Sequence, residues 1–401
     1  MLRKIVLVMG VFAIAALGLS LVSAQDTMGS SVMVPPDGEI VIGVAAALSG
    51  EGLAPLGEDI VRGAQLANIT RPTVKIGDVE FAVTLDPQDD TCAAEGGQAV
   101  ANRYVSDERV VAVVGPMCSS ACRAAGPIFD AAGYTSISPS CTAPDLTDGT
   151  FASFNRVVPT DAFQGVVDAE FVFNTLGLTR IATIHDGSPY GEGLVTVMAE
   201  AFIELGGEVV FQDAVNVGDT DFRALLDRVA DADPELVFFV GFIAEGSRLA
   251  SQRFDAGLDE VAFMGADGIF SPDFISTAGD AAEGVYVSSP TPSSEIYDAF
   301  VAAYVEEFGV EEPSGPYHAN AADAYNVILN AIEAVGTVDD NGDLVIDRAA
   351  LNEAIRATSD YEGLIGTITC EENGECASAA ITIYQVVDGA FVLASETMQG
   401  E

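Results

Sequence analysis

Val110-Val-Ala-Val-Val-Gly-Pro-Met-Cys-Ser-Ser120 is an apolar run that stops at a Gly-Pro pair and ends in two serines. A continuous run of valines predicts a strand that is buried on both faces, and Gly115-Pro116 terminates it. Ser119 and Ser120 are favourable N-cap residues, so a helix is predicted to begin here with its free backbone N–H groups turned toward an anion. On the loop alone, however, an ordinary strand-to-helix turn is the simpler interpretation.

Segments with the periodicity of strands and helices alternate on both sides of this stretch. On its N-terminal side the predicted order is strand, helix, strand and helix, over residues 39–49, 58–68, 81–85 and 93–106. A helix at 121–131 and a strand at 135–138 follow it. This alternation predicts an α/β fold in which a parallel sheet is covered by helices on both faces.

The alternation starts again after a short extended segment at 154–158. Helices and strands are predicted in turn over residues 162–176, 180–185, 191–205, 208–215, 222–230, 236–240, 245–256 and 261–265. Extended residues 285–289 and helices at 294–308 and 317–335 then return to the first sheet. The pattern therefore predicts two sheets, each in its own lobe.

The composition of the chain is globular and strongly acidic. Of its 401 residues, 49% are apolar and 19% are charged, and 16 basic against 61 acidic residues give a formal charge of −45. Such a charge repels nucleic acid and anionic lipid, so neither is expected as a partner. A saline habitat or an acidic one would each account for the acidity.

The N-terminus has the pattern of a cleaved signal peptide. A basic start precedes an apolar run over residues 5–21, and Val22-Ser-Ala24 offers a cleavage point. Cleavage after Ala24 would remove two basic residues and no acidic one, which changes the net charge from −45 to −47. No cysteine near this point could carry a lipid, so a free periplasmic or otherwise extracytoplasmic protein is expected, with an uncleaved anchor as the alternative.

Six cysteines in an exported chain favour disulfide bonds over a metal site, because the compartment is oxidising and only two histidines are present. Three pairs are considered: Cys370 with Cys376 across an Asn-Gly turn, Cys92 with Cys118 in loops near strand ends of one sheet, and Cys122 with Cys141. A redox pair at Cys118 and Cys122 is disfavoured, since the two-residue spacing and the basic neighbours that activate a thiol are absent.

Short motifs occur along nearly the whole mature chain. They are Ile42-Gly-Val44 with Leu48-Ser-Gly50, Val114-Gly-Pro-Met-Cys-Ser-Ser120, Ile137-Ser-Pro139 with Thr142-Ala-Pro144, Ile184-His-Asp186 with Tyr190-Gly-Glu-Gly193, Phe263-Met-Gly265, Gly279-Asp-Ala-Ala-Glu-Gly284 and Pro313-Ser-Gly-Pro-Tyr317. In this combination the sequence resembles the periplasmic leucine/isoleucine/valine-binding proteins, which are the receptor components of ABC importers. The resemblance implies the type I periplasmic binding protein fold, in which two doubly wound parallel-sheet lobes are joined by three crossings around a ligand cleft.

On this resemblance the chain divides into a signal peptide, a leader and two lobes. The expected boundaries are 1–24 for the signal peptide, 25–38 for a disordered leader, 39–158 with 288–380 for the first lobe, and 159–287 with 381–398 for the second. The three crossings are expected near 157–160, 287–290 and 379–383. The lobes should close on the ligand, because each carries half of the site.

The resemblance also implies roles for residues of the cleft. Ser119 takes the place of the serine that binds the ligand carboxylate, Tyr190 that of an aromatic residue that closes over the ligand, and Asp267 that of the glutamate that binds the ammonium. Leu56 and Phe242 stand where the family usually has tyrosines, so a more apolar wall is expected. The full expected ligand-binding set is Leu56, Met117, Ser119, Ser140, Cys141, Thr142, Tyr190, Phe242 and Asp267, and the family's disulfide corresponds to Cys92 with Cys118.

Each of these positions has a simpler structural explanation. Tyr190 would otherwise cap a surface loop, Phe242 would belong to a core, and Asp267 would sit in the ordinary turn signature Ala-Asp-Gly. His185 and His318 lie in no nucleophile pattern, so both are interpreted as structural. Residues 339–343 lack the final glutamate of a calcium loop, so no metal, cofactor or catalytic site is expected.

The sequence predicts a monomeric, non-enzymatic binding protein that delivers a small apolar amino acid to the membrane permease of an ABC importer. A protein of the same fold that binds an amide, urea or an aromatic acid is the first alternative, and a ligand-sensing protein is another. An exported hydrolase is disfavoured because no Gly-x-Ser-x-Gly, His-Glu-x-x-His or phosphate-loop motif occurs.

Overall fold

The computed structural model describes residues 31–377 and 380–397. Their strands are β1 (Ser31–Val34), β2 (Glu39–Ala46), β3 (Thr73–Ile76), β4 (Val79–Asp89), β5 (Val110–Val114), β6 (Thr135–Ser138), β7 (Phe154–Arg156), β8 (Arg180–His185), β9 (Glu208–Ala214), β10 (Leu236–Val240), β11 (Ala262–Gly265), β12 (Tyr286–Ser289), β13 (Thr337–Val338), β14 (Leu344–Asp347), β15 (Tyr361–Gly363), β16 (Gly366–Ile368), β17 (Thr382–Val387) and β18 (Ala390–Leu393). Their helices are α1 (Ala54–Thr70), α2 (Ala94–Ser106), α3 (Ser119–Ala132), α4 (Asp161–Glu170), α5 (Pro189–Glu204), α6 (Arg223–Asp231), α7 (Ile243–Gln252), α8 (Pro272–Ala278), α9 (Glu295–Phe308), α10 (His318–Val335), α11 (Arg348–Arg356) and α12 (Ala394–Thr397).

The first lobe is built on a sheet with the strand order β3-β4-β2-β5-β6-β7. All neighbouring strands in it are parallel except β3, which adds an antiparallel edge. Every residue of β5 is buried, because helices cover the sheet on both faces. Ile42 and Val114 pack into the core beneath α1 and α10, whereas Val41 and Val113 pack into the core beneath α2 and α3.

The second lobe is built on a sheet with the strand order β18-β17-β12-β11-β10-β8-β9. Strands β12, β11, β10, β8 and β9 are parallel, and β17 and β18 add an antiparallel hairpin. The two sheets confirm the predicted α/β fold with two doubly wound lobes. Among the described helices, none is both long enough and apolar enough to cross a membrane.

The chain passes between the two sheets three times. It leaves the first sheet after β7, returns after β12 to α9 and α10, and reaches the second sheet again at β17. The first passage is tied to α10, since the side chain of Asn320 donates to the Val157 carbonyl at 2.6 Å. The third passage includes residues 378–379, which lie outside the described residues.

The prediction of a disordered leader over residues 25–38 is wrong for its second half. β1 pairs antiparallel with β14, which follows it by more than three hundred positions in the sequence. Val32 and Val34 are 2% exposed and alternate with exposed Ser31 and Met33, so the segment has the two-residue period of a half-buried strand. Residues 1–30, which include the predicted signal peptide, lie outside the described residues.

The turn after β5 confirms the predicted end of the strand and corrects the predicted helix cap. Gly115 has φ +113°, and a Cβ there would lie 2.2 Å from the Ala45 carbonyl oxygen, so only glycine fits. Helix α3 begins at Ser119, and the cap position is held by Cys118 without a side-chain hydrogen bond. Ser119 and Ser120 therefore lie in the first helical turn, where their hydroxyls bond to other loops.

All six cysteines of the chain are paired in the structure. The pairs are Cys92 with Cys118, Cys122 with Cys141, and Cys370 with Cys376. The first two pairs tie the loops at the carboxyl end of the first sheet to the start of α3. The third closes the turn at residues 371–375, whose ends are joined by a hydrogen bond from the Glu371 N–H to the Glu375 carbonyl at 2.7 Å.

Candidate functional site

A small cavity lies between the two lobes. Its lining residues come from loops at the carboxyl ends of strands and from the start of helices in both lobes: Met117, Cys118, Ser119, Ser140, Tyr190, Phe242, Asp267 and Tyr317. Ligands of open α/β sheets bind at this edge of the strands. The lining combines apolar side chains with a few convergent polar groups, which is the usual character of a small-molecule site.

The wall from the first lobe is polar and presents a helix N-terminus. Ser119 is the first residue of α3, whose unpaired N–H groups and dipole favour an anion. The Ser140 hydroxyl donates to the Met117 carbonyl at 2.7 Å, and the Met117 N–H donates to the Asp90 carboxylate at 2.7 Å. These bonds join the loops after β4, β5 and β6, so the anion-binding groups lie on a fixed surface.

The wall from the second lobe carries a buried carboxylate. Asp267 follows β11 and is 1% exposed. It accepts hydrogen bonds from Gln164 at 2.7 Å, from the Tyr190 hydroxyl at 2.9 Å, and from the Tyr317 hydroxyl. Tyr317 precedes α10 of the first lobe, so this last bond joins the two lobes across the cavity.

Burial raises the pKa of Asp267 above its usual value, and the hydrogen bonds from Tyr317, Gln164 and Tyr190 offset part of that rise. Burial and the nearby charge of Asp267 raise the pKa of Tyr190 and of Tyr317 well above the usual tyrosine range. Both phenols are therefore neutral donors at physiological pH. A fully hydrogen-bonded carboxylate in a dry cavity is a suitable partner for a ligand cation.

Aromatic rings form the apolar part of the cavity. Phe242, which follows β10 and precedes α7, packs against Tyr190 with ring centroids 5.8 Å apart. Met117 lies on the facing lobe. An apolar side chain of the ligand would thus contact rings and a thioether, while its polar end would contact Ser119 and Asp267.

The structure brings together six of the nine residues expected from the sequence: Met117, Ser119, Ser140, Tyr190, Phe242 and Asp267. Leu56, Cys141 and Thr142 are buried but are not among the residues that line the cavity. Cys141 is bonded to Cys122, and Leu56 packs in the core of the first lobe. A ligand role for these three residues stays a prediction.

Sequence reasoning missed Tyr317 and the supporting residues on α4. Tyr317 ends the motif Pro313-Ser-Gly-Pro-Tyr317, so an aromatic residue at a loop end was the available signal. On α4, Asp161, Gln164 and Asp168 are at most 1% exposed, while Phe163 and Val166 are 36% and 40% exposed. Polar residues at positions i, i+3 and i+7 share one helix face, and here that face is buried.

Neither histidine is among the residues that line the cavity, nor is any residue of the acidic turn at 339–343. His318 is buried against Asp59, with its Nδ1 3.0 Å from the carboxylate, and the His185 Nδ1 accepts from the Gly187 N–H. Asp339 accepts from the N–H groups of Asn341 and Asp343, as in a tight turn. In residues 31–377 and 380–397, no group of three or more potential metal ligands lies close enough to hold an ion.

Further contacts hold the lobes together across the cleft. Arg248 of the second lobe pairs with Glu51 of the first, and the Ser271 hydroxyl donates to the Ser314 carbonyl at 2.7 Å. Glu51 is exposed, so the ion pair contributes little. Together with the bond between Tyr317 and Asp267, these contacts show the lobes closed over the cavity.

The two doubly wound lobes close over a small cavity. One lobe supplies an anion-binding helix end and the other supplies a buried carboxylate. Together these features define a ligand-binding protein. The sequence profile of the periplasmic binding protein family matches residues 39–390. The chain belongs to the periplasmic binding protein family.

Relatives with recorded ligands are similar to this chain over most of its length. The leucine-, isoleucine-, valine-, threonine- and alanine-binding protein of Pseudomonas aeruginosa is 30% identical over 362 residues, which are 85% of this chain and 94% of that protein. The crystal structure of a leucine-binding protein of Thermotoga maritima has a TM-score of 0.78 at 28% identity, and covers 88% of this chain and 97% of its own. The isoleucine complex of a branched-chain amino acid transporter substrate-binding protein from Streptococcus pneumoniae has a TM-score of 0.78 at 25% identity, with the same coverage.

Proposed function

We propose that this protein is an extracytoplasmic solute-binding protein that captures a small apolar, branched-chain-like amino acid and delivers it to the permease of an ABC importer. It acts as a monomer and without catalysis. The observation that carries the proposal is the placement of the Asp267 carboxylate and the Ser119 helix end in one small cavity. These two groups match the ammonium and the carboxylate of a zwitterion.

The geometry accounts for each part of such a ligand. The ligand carboxylate accepts from the Ser119 hydroxyl and the N–H groups of the first turn of α3. Its ammonium donates to Asp267, which Gln164, Tyr190 and Tyr317 hold in place. Its side chain packs against Phe242, Tyr190 and Met117. The names of the relatives, which bind leucine, isoleucine and valine, support this ligand class.

The buried carboxylate weighs against the other ligands of this fold that the sequence left open. An aromatic acid would bring a second negative charge next to Asp267 and no cation to compensate either one. Urea or a simple amide would leave the helix end without an anion. An amino acid supplies both a carboxylate for the helix end and an ammonium for Asp267.

A thermal-shift screen of the purified mature chain tests the proposal. A ligand that binds only the folded state raises the melting temperature by mass action. L-Leucine, L-isoleucine and L-valine are expected to raise it, and benzoate and urea are expected to leave it unchanged. Stabilisation by benzoate but by none of the amino acids would overturn the proposed ligand class.

Gly52→Ala is expected to weaken L-leucine binding by opposing closure of the cleft. Gly52 lies on the first lobe with φ +72°, and a Cβ there would lie 2.5 Å from the Ala244 backbone nitrogen of the second lobe. Relief of that clash requires the lobes to separate, and the overlap is expected to cost about 1–2 kcal/mol of binding free energy, or roughly 5- to 30-fold in Kd. Calorimetric titration measures it.

Gly77→Ala is the matched control for this change. Gly77 also has a positive φ, of +61°, but nothing lies within 4 Å of its Cβ position. The control therefore carries a similar backbone strain without a contact between the lobes. Equal L-leucine affinity in the two variants would show that Gly52 has no part in closure.

A further inference from the structure

The loop before α10 carries Tyr317 across the cavity to the second lobe. Tyr317 lines the cavity, and its hydroxyl donates to the Oδ2 atom of Asp267. Gln164 on α4 and Tyr190 on α5 also donate to Asp267, but both bind its Oδ1 atom and both belong to the second lobe. Among the described side chains that donate to this carboxylate, Tyr317 is therefore the one whose bond depends on how close the two lobes are.

The backbone of Tyr317 is fixed to the first lobe. Its N–H and that of His318 donate to the buried Asp59 carboxylate on α1, at 2.7 and 2.8 Å. In the same loop, the Ser314 hydroxyl donates to the Pro55 carbonyl at 2.7 Å. Because the backbone is held at these points and a tyrosine side chain has only two rotatable bonds, the hydroxyl moves with the first lobe. Separation of the lobes would take it away from the carboxylate on the second lobe.

The acceptor positions of Asp267 leave room for one more donor. A carboxylate accepts hydrogen bonds at about four positions, two on each oxygen. Gln164 and Tyr190 occupy both positions on Oδ1, and Tyr317 occupies one on Oδ2. The remaining position, on Oδ2 beside the Tyr317 hydroxyl, is the one that a ligand ammonium would take. The ligand and the first lobe would thus bind the same oxygen of the second lobe.

We propose that Tyr317 is a positioning residue that holds the lobes closed over the bound ligand and so slows its release. The inference rests on the proposed function. The Tyr317 hydroxyl acts through Asp267 and needs no contact with the ligand. Because it reaches Asp267 only when the lobes are closed, it has no part in the first encounter of the ligand with an open cleft. Opening replaces this bond to a carboxylate with a bond to water, which costs free energy.

Stopped-flow mixing with L-leucine measures association and dissociation rates separately, and tyrosine fluorescence is a suitable signal because the chain has ten tyrosines and no tryptophan. Tyr317→Phe keeps the ring that packs in the cavity and removes only the hydroxyl. Its dissociation rate is expected to rise by about 10- to 150-fold, which is the usual worth of a hydrogen bond to a charged group. Its association rate should match that of the wild type.

Tyr325→Phe is the matched control for this change. Tyr325 lies on α10 and is fully buried, and the bonds of its hydroxyl stay within the first lobe. That hydroxyl donates to the Arg71 carbonyl and accepts from the Asn68 side chain, both at 2.8 Å. The control therefore removes a buried tyrosine hydroxyl without touching the contact between the lobes. Both rates of this variant should stay at the wild-type values.

The des-amino analogue of leucine, 4-methylpentanoate, separates closure of the lobes from contact with the ammonium. Tyr317→Phe keeps the negative charge of Asp267, so a change in the affinity for this ligand reports the loss of the bond between the lobes. Calorimetric titration should show that the variant binds L-leucine and 4-methylpentanoate more weakly by similar factors. If Tyr317 only oriented Asp267 toward the ammonium, L-leucine alone would bind more weakly.

The outcomes that would overturn the proposal differ from those that would overturn the proposed function. An unchanged dissociation rate of L-leucine from Tyr317→Phe, or a loss confined to the association rate, removes the role of Tyr317 and leaves the ligand class standing. A loss for L-leucine with unchanged binding of 4-methylpentanoate also removes the closure role. Failure of L-leucine to bind the wild type removes the proposed function, and the role of Tyr317 with it.

Discussion

Asp267→Asn is expected to weaken L-leucine binding by about 10- to 150-fold, because a hydrogen bond to a charged group contributes roughly 1.5–3 kcal/mol. Asparagine keeps the shape of the side chain and one oxygen that can accept from Tyr190 or Gln164, so the cavity should persist. The negative charge opposite the ligand ammonium is lost, and so is the acceptor of the Tyr317 hydroxyl, because the amide nitrogen takes the place of Oδ2. Calorimetric titration of the variant and the wild type gives the ratio of the two dissociation constants.

The des-amino analogue of leucine separates this role from a general loss of the site. Asp267→Asn should bind 4-methylpentanoate at least as well as the wild type does, since that ligand has no ammonium. Ser119→Ala should weaken L-leucine and 4-methylpentanoate alike, because both carry the carboxylate that Ser119 binds. Unchanged affinity of Asp267→Asn for L-leucine would remove Asp267 from the ligand site.

Arg156→Met is expected to cost about 3–5 kcal/mol of unfolding free energy, the usual loss when one partner of a buried ion pair is removed. Arg156 is fully buried on β7, donates to the carbonyls of Cys141 and Ala143 at 3.1 and 2.8 Å, and pairs with Glu375. It therefore connects the loop that follows β6 to the disulfide-closed turn near residue 375. Urea denaturation followed by circular dichroism measures the loss.

Arg109→Met provides the comparison for an exposed ion pair. Arg109 pairs with Asp107 at 2.7 Å, but its side chain is 74% exposed. Exposed pairs of this kind add little to stability, so this variant should unfold close to the wild-type urea concentration. A loss for Arg156→Met no larger than that for Arg109→Met would show that the buried network does not stabilise the first lobe.

Local periodicity was enough to predict most of the sheet strands and the helices that cover them. β5 and the Gly115 turn were predicted correctly because a run of valines and a Gly-Pro pair are both local signals. β1 was missed because its partner β14 lies at the other end of the chain, and its four residues carry too short a pattern. The cap of α3 was misassigned by one residue, since Ser119 and Ser120 bond to distant loops instead of to their own helix.

The residues of the candidate site were likewise predicted only in part. Motif positions such as Ser119 and Tyr190 were found on the cavity, whereas Tyr317 was missed because only the tertiary fold brings its hydroxyl to Asp267. Residues Asp161 and Gln164 were overlooked because polar residues on a helix normally face solvent. Their buried orientation depends on the cavity itself, which no local pattern encodes.

The cleft is proposed to bind a zwitterionic amino acid through opposite charges on its two walls. Calorimetric titration of the wild-type protein with L-leucine and, separately, with 4-methylpentanoate tests it most directly, because the two ligands share the carboxylate and the apolar side chain. L-Leucine is expected to bind at one site, with an affinity at least about tenfold higher than that of its des-amino analogue. Equal or tighter binding of 4-methylpentanoate would contradict the claim.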